Sequence, residues 1–257
     1  MQYNGVMELK IAIAKIDRYG SSTSGDTVEV TERPNGGISV VLADGQIDKI
    51  DQKAISTMVS HRVIEYISQG MRDSAAIRTA SNRIFVEHNG QVQAQVNIIS
   101  VDFQTITILI TRNNRLPVFL INGDQIDTLS TECEPIGWRT DITPSIVELP
   151  ITPGMAIVVF SDGVYDAGHE LSEKPDIYTV IEALVEEQEP SAREMADYLL
   201  NHAIRLDEGR PKDDMSVIVL LISPQSSDPV RRMNASMSLD EIYPDNGINP
   251  IFTTQSE

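Results

Sequence analysis

The stretch GMAIVVFSDG, residues 154–163, is the most apolar in the chain and stops abruptly at an acid followed by glycine. An unbroken apolar run of this length, bounded by Gly on one side and Asp-Gly on the other, reads as a strand with a carboxylate at its end. The same ending closes GISVVLADG, residues 37–45, and the acidic pair Asp213-Asp214 opens the apolar run MSVIVLLI at 215–222. Working outward, the alternation in LKIAIAKI (9–16) and TVEVTE (27–32) predicts two more strands. Asn35-Gly36 marks a hairpin between the second of these and 37–43.

Between these strands the period changes. Ile55, Met58, Val59, Val63, Tyr66 and Ile67 recur at three and four residues, which predicts a helix over about 52–69, closed by Gly70. A second helix is expected over about 73–88, with Asp73 as its N-cap. Strand patterns return at about 91–101, 104–111, 117–122, 125–129 and 145–149, and helical ones at about 175–188 and 191–207. Strands in runs and helices in pairs point to an α+β layered fold rather than to alternating βαβ units. After Ser223 no period survives, so the chain divides into a folded region, 1–223, and a mostly disordered acidic tail, 224–257, with five acids and two bases.

The chain has 257 residues, 41% of them hydrophobic and 23% charged, which excludes a collagen, a disordered chain or a disulfide-stapled miniprotein. Twenty basic residues against 38 acidic leave a formal charge of −18, without the basic footprint that a nucleic-acid partner requires. Cys133 is the single cysteine, no apolar run approaches membrane-spanning length, and the first residues lack the order of a secretory signal. A cytoplasmic protein with no membrane partner is expected.

Four acidic positions sit where strands begin or end: Asp26 in SGD, Asp44 in VVLADG, Asp162 in VVFSDG, and Asp213-Asp214 before MSVIVL. One Asp-Gly alone is most simply a turn aspartate. Several carboxylates converging on one rim of a sheet would repel one another strongly unless cations neutralised them. Oxygen donors with no Cys or His pattern favour hard ions, magnesium or manganese, over zinc.

The order SGD, VVLADG, a helix pair, VVFSDGVYDAG and KDDMSVIVLL resembles that of the PPM-type metal-dependent Ser/Thr protein phosphatases, and more narrowly their bacterial SpoIIE/RsbU/RsbX branch. ELPITPGMAIVVFSDGVYDA is similar to that branch's Pro-Gly turn, apolar strand and Ser/Thr-Asp-Gly. The resemblance runs over about residues 9–222 and implies a four-layer α-β-β-α sandwich, a central β-sandwich flanked by helix pairs. It implies a site for two divalent cations, manganese or magnesium. Asp44 would bridge both and the Gly45 carbonyl would bind one; Asp162 and Asp213 would hold the first ion, and Asp26 would serve the second. Asp213 is preferred to Asp214, whose role would be to orient its neighbour. The implied reaction is hydrolysis of phosphoserine or phosphothreonine by a metal-activated water, with Asp44, Asp162 and Asp213 at its centre. The implied partner is a phosphorylated STAS-domain regulator in a bacterial stress or sigma-factor switch.

The chain departs from that branch after Gly45. In place of a glycine-rich stretch it has Gln46-Ile47-Asp48-Lys49-Ile50-Asp51. This keeps open an alternative from another class, a weak or inactive pseudophosphatase that binds phosphoproteins. A haloacid-dehalogenase-type phosphohydrolase is excluded, because VVFSDGV lacks the Asp-x-Asp nucleophile motif.

Overall fold

Successive residues of the third strand face different cores. In β3 (Gly37–Gln46), Val40 and Leu42 pack between two sheets, whereas Val41 and Ala43 pack against helices. A strand buried on both faces reads as a continuous apolar run. The computed structural model describes residues 7–46, 52–169, 176–187, 190–224 and 230–237.

One sheet holds β2 (Asp26–Glu32), β3, β4 (Gln93–Asp102), β5 (Thr107–Asn113) and β8 (Ser145–Pro150), in that order. The other runs β1 (Met7–Ile16), β10 (Met215–Pro224), β9 (Ala156–Phe160), β6 (Val118–Asn122) and β7 (Gln125–Leu129). The strand pairings are antiparallel. Val40, Leu42, Ile99 and Ile110 of the first sheet meet Ile157, Val159, Ile218 and Leu220 of the second in the central core. Outside the first sheet lie α1 (Gln52–Ser68) and α2 (Asp73–His88), which bury Ile55, Val59, Val63, Ile77, Ala80 and Ile84 against Val96 and Ile98. Outside the second lie α4 (Ile177–Glu187) and α5 (Ala192–Leu206), whose Ile181, Met195, Leu199 and Ala203 share a core with Val158, Phe160, Val217 and Val219. These are the four layers, α-β-β-α, that the resemblance implies.

Several local expectations are corrected. Asp73 is the first residue of α2 rather than its cap; Arg72 is the N-cap, and the Asp73 carboxylate turns inward. β5 begins at Thr107, not 104, because the Asp102 carboxylate accepts the Gln104 and Thr105 amides and holds them in a turn. β10 runs through Ser223 and Pro224, opposite Glu8 and Met7. Proline is tolerated there because β9 pairs with β10 only as far as Leu221, leaving that side free of a ladder. A four-residue helix, α3 (Asp162–Tyr165), follows β9 directly and was too short to show a period. Of the tail, residues 230–237 are described; they have no regular secondary structure, and the Arg231 guanidinium lies 5.2 Å from the centre of the Phe103 ring.

The α1–α2 connection is tied to the first sheet by a buried ion pair. Arg33 Nη1 lies 2.6 Å from Asp73 Oδ1 and donates to the Ser39 and Ser100 hydroxyls, while Nη2 donates to the Met71 carbonyl. Ser100 Oγ donates to the other Asp73 oxygen. Removing one partner of such a pair leaves the other charge buried and uncompensated, which costs ~3–5 kcal/mol. Asp73→Ala is therefore expected to lower unfolding free energy in urea by about that amount. Asp197→Ala, which removes only the exposed i,i+4 partner of Arg193, is expected to cost less than ~0.5 kcal/mol.

Candidate metal centre

Register brings the first two acids together. In the β2–β3 ladder Asp26 lies directly opposite Asp44, and on the other side of β3 the partner of Asp44 is Gln95. The second sheet supplies the other two at the same rim, since β9 ends where β10 begins. Ser161 laces those ends together: its amide donates to the Ser216 carbonyl, its hydroxyl donates to the Asp214 carbonyl, and it accepts the Ser216 amide. Asp162 follows Ser161 as the first residue of α3, and Asp213 stands two residues before β10. A bond from Ser216 Oγ to Asp26 Oδ2, at 2.6 Å, joins the sheets across the site.

Both Asp-Gly glycines are needed for close approach rather than for a sharp turn. Gly45 is still inside β3, where a Cβ would lie 2.4 Å from the Gln52 carbonyl oxygen of α1. A Cβ on Gly163 would lie 2.2 Å from the Asp214 carbonyl oxygen. The two residues of the acidic pair have different tasks. Asp214 is buried, and its carboxylate accepts the Arg18 amide at 3.0 Å and the Gly25 amide at 2.7 Å, which fixes both ends of the loop that leads into Asp26. Asp213 is exposed, and its side chain lines the cleft beside Asp162.

Four groups at the site were not among the candidate site residues read from the sequence. Gln95 donates from Nε2 to Asp162 Oδ2 at 3.2 Å, Ser161 and Ser216 support Asp26, and Lys53 Nζ donates to the Asp26 carbonyl at 2.9 Å. Only the register could have pointed to Gln95. His61, by contrast, sits away from the rim against Glu29. Residues 47–51, which carry most of the departure after Gly45, lie outside the described residues.

The family model for stage II sporulation protein E (SpoIIE) matches residues 34–223, most of the chain and three of the four acids. The chain belongs to the SpoIIE family. It is 22% identical over 204 residues to stage II sporulation protein E of Bacillus subtilis, a match covering 79% of this chain and 24% of that protein. A match to the Priestia megaterium protein of the same name covers 35% of that relative, so the chain spans about a quarter to a third of the curated relatives' length. Its fold superposes on the structure of the PP2C phosphatase domain, with a fragment of the regulatory domain, of SpoIIE from Bacillus subtilis. There the TM-score is 0.74 at 19% identity, over 86% of this chain and 64% of that one. Against RsbX, solved in complex with magnesium, the TM-score is 0.63 at 12% identity, over 87% and 98% of the two chains.

The electrostatics of this SpoIIE-family rim are those of crowded acids. Burial, reinforced by the charges of Asp162, Asp26 and Asp213, pushes the Asp44 carboxyl up to about 9. Burial likewise raises Asp26 to about 7, against the hydrogen bonds from Ser216 and Ser161 and the nearby Lys15 ammonium. Asp162 and Asp213 are also raised, first because the surrounding protein displaces part of their hydration and then by acidic neighbours. Asp44 and Asp162 are close enough to share a hydrogen bond, yet Asp44 Oδ2 and Gln95 Oε1 are buried with no hydrogen-bond partner. Among the described residues no three acidic, histidine or cysteine side chains are closed into a ready-made ion site. The donor set nonetheless fits hard divalent cations: it is all oxygen, negatively charged, and holds a buried carboxylate oxygen that lacks a donor.

The raised values fix the sign of a pH effect. Without a cation, the folded state holds protons on Asp26 and Asp44 that the unfolded chain, with an ordinary aspartate value of 3.8, has already released. Their contribution to stability is fully present below pH ~4 and is lost as pH rises through about 7 and then 9. Chelator-treated protein is expected to melt at progressively lower temperature from pH 5 to 9. Manganese should raise the melting temperature more at pH 8.5 than at pH 6, and Asp44→Asn should flatten both trends in differential scanning fluorimetry.

Proposed function

We propose that this chain hydrolyses phosphoserine or phosphothreonine on a protein partner, with two divalent cations, manganese or magnesium, as cofactors. The observation that carries the reading is the convergence of Asp26, Asp44, Asp162 and Asp213 on one rim, with a buried Asp44 oxygen lacking a partner. Family membership and the fold shared with a PP2C phosphatase domain support it.

In this reading Asp44, the Gly45 carbonyl, Asp162 and Asp213 would hold the first cation, and Asp26 together with Asp44 would hold the second. Bound there, the cations would activate a water and neutralise charge developing on the phosphoryl oxygens. The protein's own part is positional. Gln95 aims Asp162, Ser216 and Ser161 hold Asp26, and Asp214 pins both ends of the loop before Asp26. A cleft of ≈ 460 Å³ opens beside Asp162 and Asp213, bordered by Arg115, His169 and Lys212, and receives the phosphorylated side chain. The catalytic unit is 1–223, with 224–257 outside it. The partner we favour is a phosphorylated STAS-domain regulator in a cytoplasmic stress or sigma-factor switch.

The test is release of phosphate from a phosphoserine-bearing STAS protein, with manganese and after chelation. Turnover is expected only with the metal, and it should be indifferent to thiol reagents because Cys133 lies outside the site. Asp44→Asn is expected to reduce it by about 10²-fold or more, the consequence of losing several kcal/mol of charge stabilisation. Binding of the phosphoprotein without turnover at saturating manganese would favour the binding-module alternative instead.

A further inference from the structure

One short segment of the chain is far more heavily braced than its position requires. The link between β5 and β6 spans residues 114–117, and Arg112, Asn113, Asn114 and Leu116 around it are all buried. The Arg112 guanidinium donates from Nη1 to the Leu116 carbonyl at 2.5 Å and from Nη2 to the Thr131 carbonyl at 3.0 Å. Asn113 Nδ2 donates to the Glu134 carbonyl, and Asn114 Nδ2 donates to the Val96 carbonyl. Asn114 Oδ1 in turn accepts the Leu116 amide, folding the turn back on itself. Burying polar side chains is costly; Asn113 Oδ1 is left without a partner, while Arg112 and Asn114 bond the Leu116 carbonyl and amide and so fix the backbone next to residue 115.

The residue so presented is an arginine. Arg115 has a side chain 61% exposed, and it lines the cleft that Asp162, Asp166, Lys212 and Asp213 also line. Its Nη2 lies 3.0 Å from Asp166 Oδ2, an exposed pair that contributes little to stability but holds the guanidinium over the cleft. Its charge also acts on the Asp162 carboxylate. A guanidinium has five donors in a planar fork, and one bond to Asp166 leaves a fork to offer elsewhere. A cation held rigidly at the mouth of an acidic metal rim has one chemical use there, to draw in and orient an anion that the carboxylates would otherwise repel. The fork matches the tetrahedral oxygens of a phosphoryl group.

We infer that Arg115 is a substrate-binding residue that grips the phosphoryl group of the phosphoester in the cleft beside Asp162 and Asp213. Asp166 is its positioning residue, and the buried Arg112, Asn113 and Asn114 set the geometry. The inference rests on the hydrolase reading for its substrate, but its test does not depend on turnover.

Inorganic phosphate is titrated calorimetrically into the manganese-loaded protein and its Arg115→Ala and Arg115→Lys variants, and manganese is titrated separately into each. Arg115→Ala should weaken phosphate binding by about 10–100-fold, the loss of charge-assisted hydrogen bonds, with manganese affinity unchanged. Arg115→Lys should recover only part of it, keeping the charge and losing the fork. With p-nitrophenyl phosphate, Arg115→Ala should raise KM by a similar factor and change kcat far less. Three results would overturn the inference: phosphate bound equally by wild type and Arg115→Ala, phosphate not bound by wild type at all, or parallel loss of manganese and phosphate affinity. Phosphate held through Arg115 by a protein that never cleaves a phosphoester would sustain it while removing the hydrolase reading.

Discussion

Four carboxylates gathered on one rim repel one another, and much of the structure around them serves to hold that unfavourable arrangement in place. Asp26 and Asp44 are forced opposite each other by the β2–β3 register, which cannot slip by one residue without turning Val40 and Leu42 out of the central core. Asp162 and Asp213 are held by the second sheet, where the Ser161–Ser216 bonds align the end of β9 with the start of β10. The Ser216–Asp26 bond joins the two halves, so the packing of sheet on sheet sets the spacing of the acids. The core supplies the rigidity, and the acids supply a place where only positive charge relieves the strain.

Helix α1 and the two glycines extend that constraint outward. The first turn of α1 packs so near Gly45 that no side chain fits there, and Gly163 meets the backbone of Asp214 in the same way. The Lys53 ammonium on α1 reaches the Asp26 carbonyl, and Lys15 on β1 reaches the same oxygen. Cations thus come to the acids from the backbone side, while Arg115 and Lys212 border the open side of the cleft. On a chain of net charge −18, this placement of bases gives an incoming phosphate a favourable approach that composition alone would deny it.

The layered fold was legible because its elements are strongly periodic. The apolar runs at 37–43, 156–160 and 215–222 are strands buried on both faces, and the three- and four-residue spacing of 55–67 marks a helix. The acids were legible because each lies next to a strand end and an ordered set of them resembles a known family. What periodicity does not encode is what lies across from what. Gln95 sits in an ordinary strand, and only pairing with β3 carries it to Asp44. Asp73 looked like a helix cap, yet its carboxylate had a stronger claimant in Arg33, forty residues earlier in the chain. The tail assignment and the stretch after Gly45 fall largely on residues outside those described, among them 47–51 and 238–257.

The chemistry proposed for the rim requires the four carboxylates to form one cation site. Crystals grown with manganese, measured at the manganese absorption edge, test this directly through anomalous scattering. The expected map has two neighbouring peaks at the rim, both against Asp44, one also against Asp162 and Asp213 and the other on the Asp26 side. A map without peaks among these residues, or with manganese held by other side chains, would contradict it.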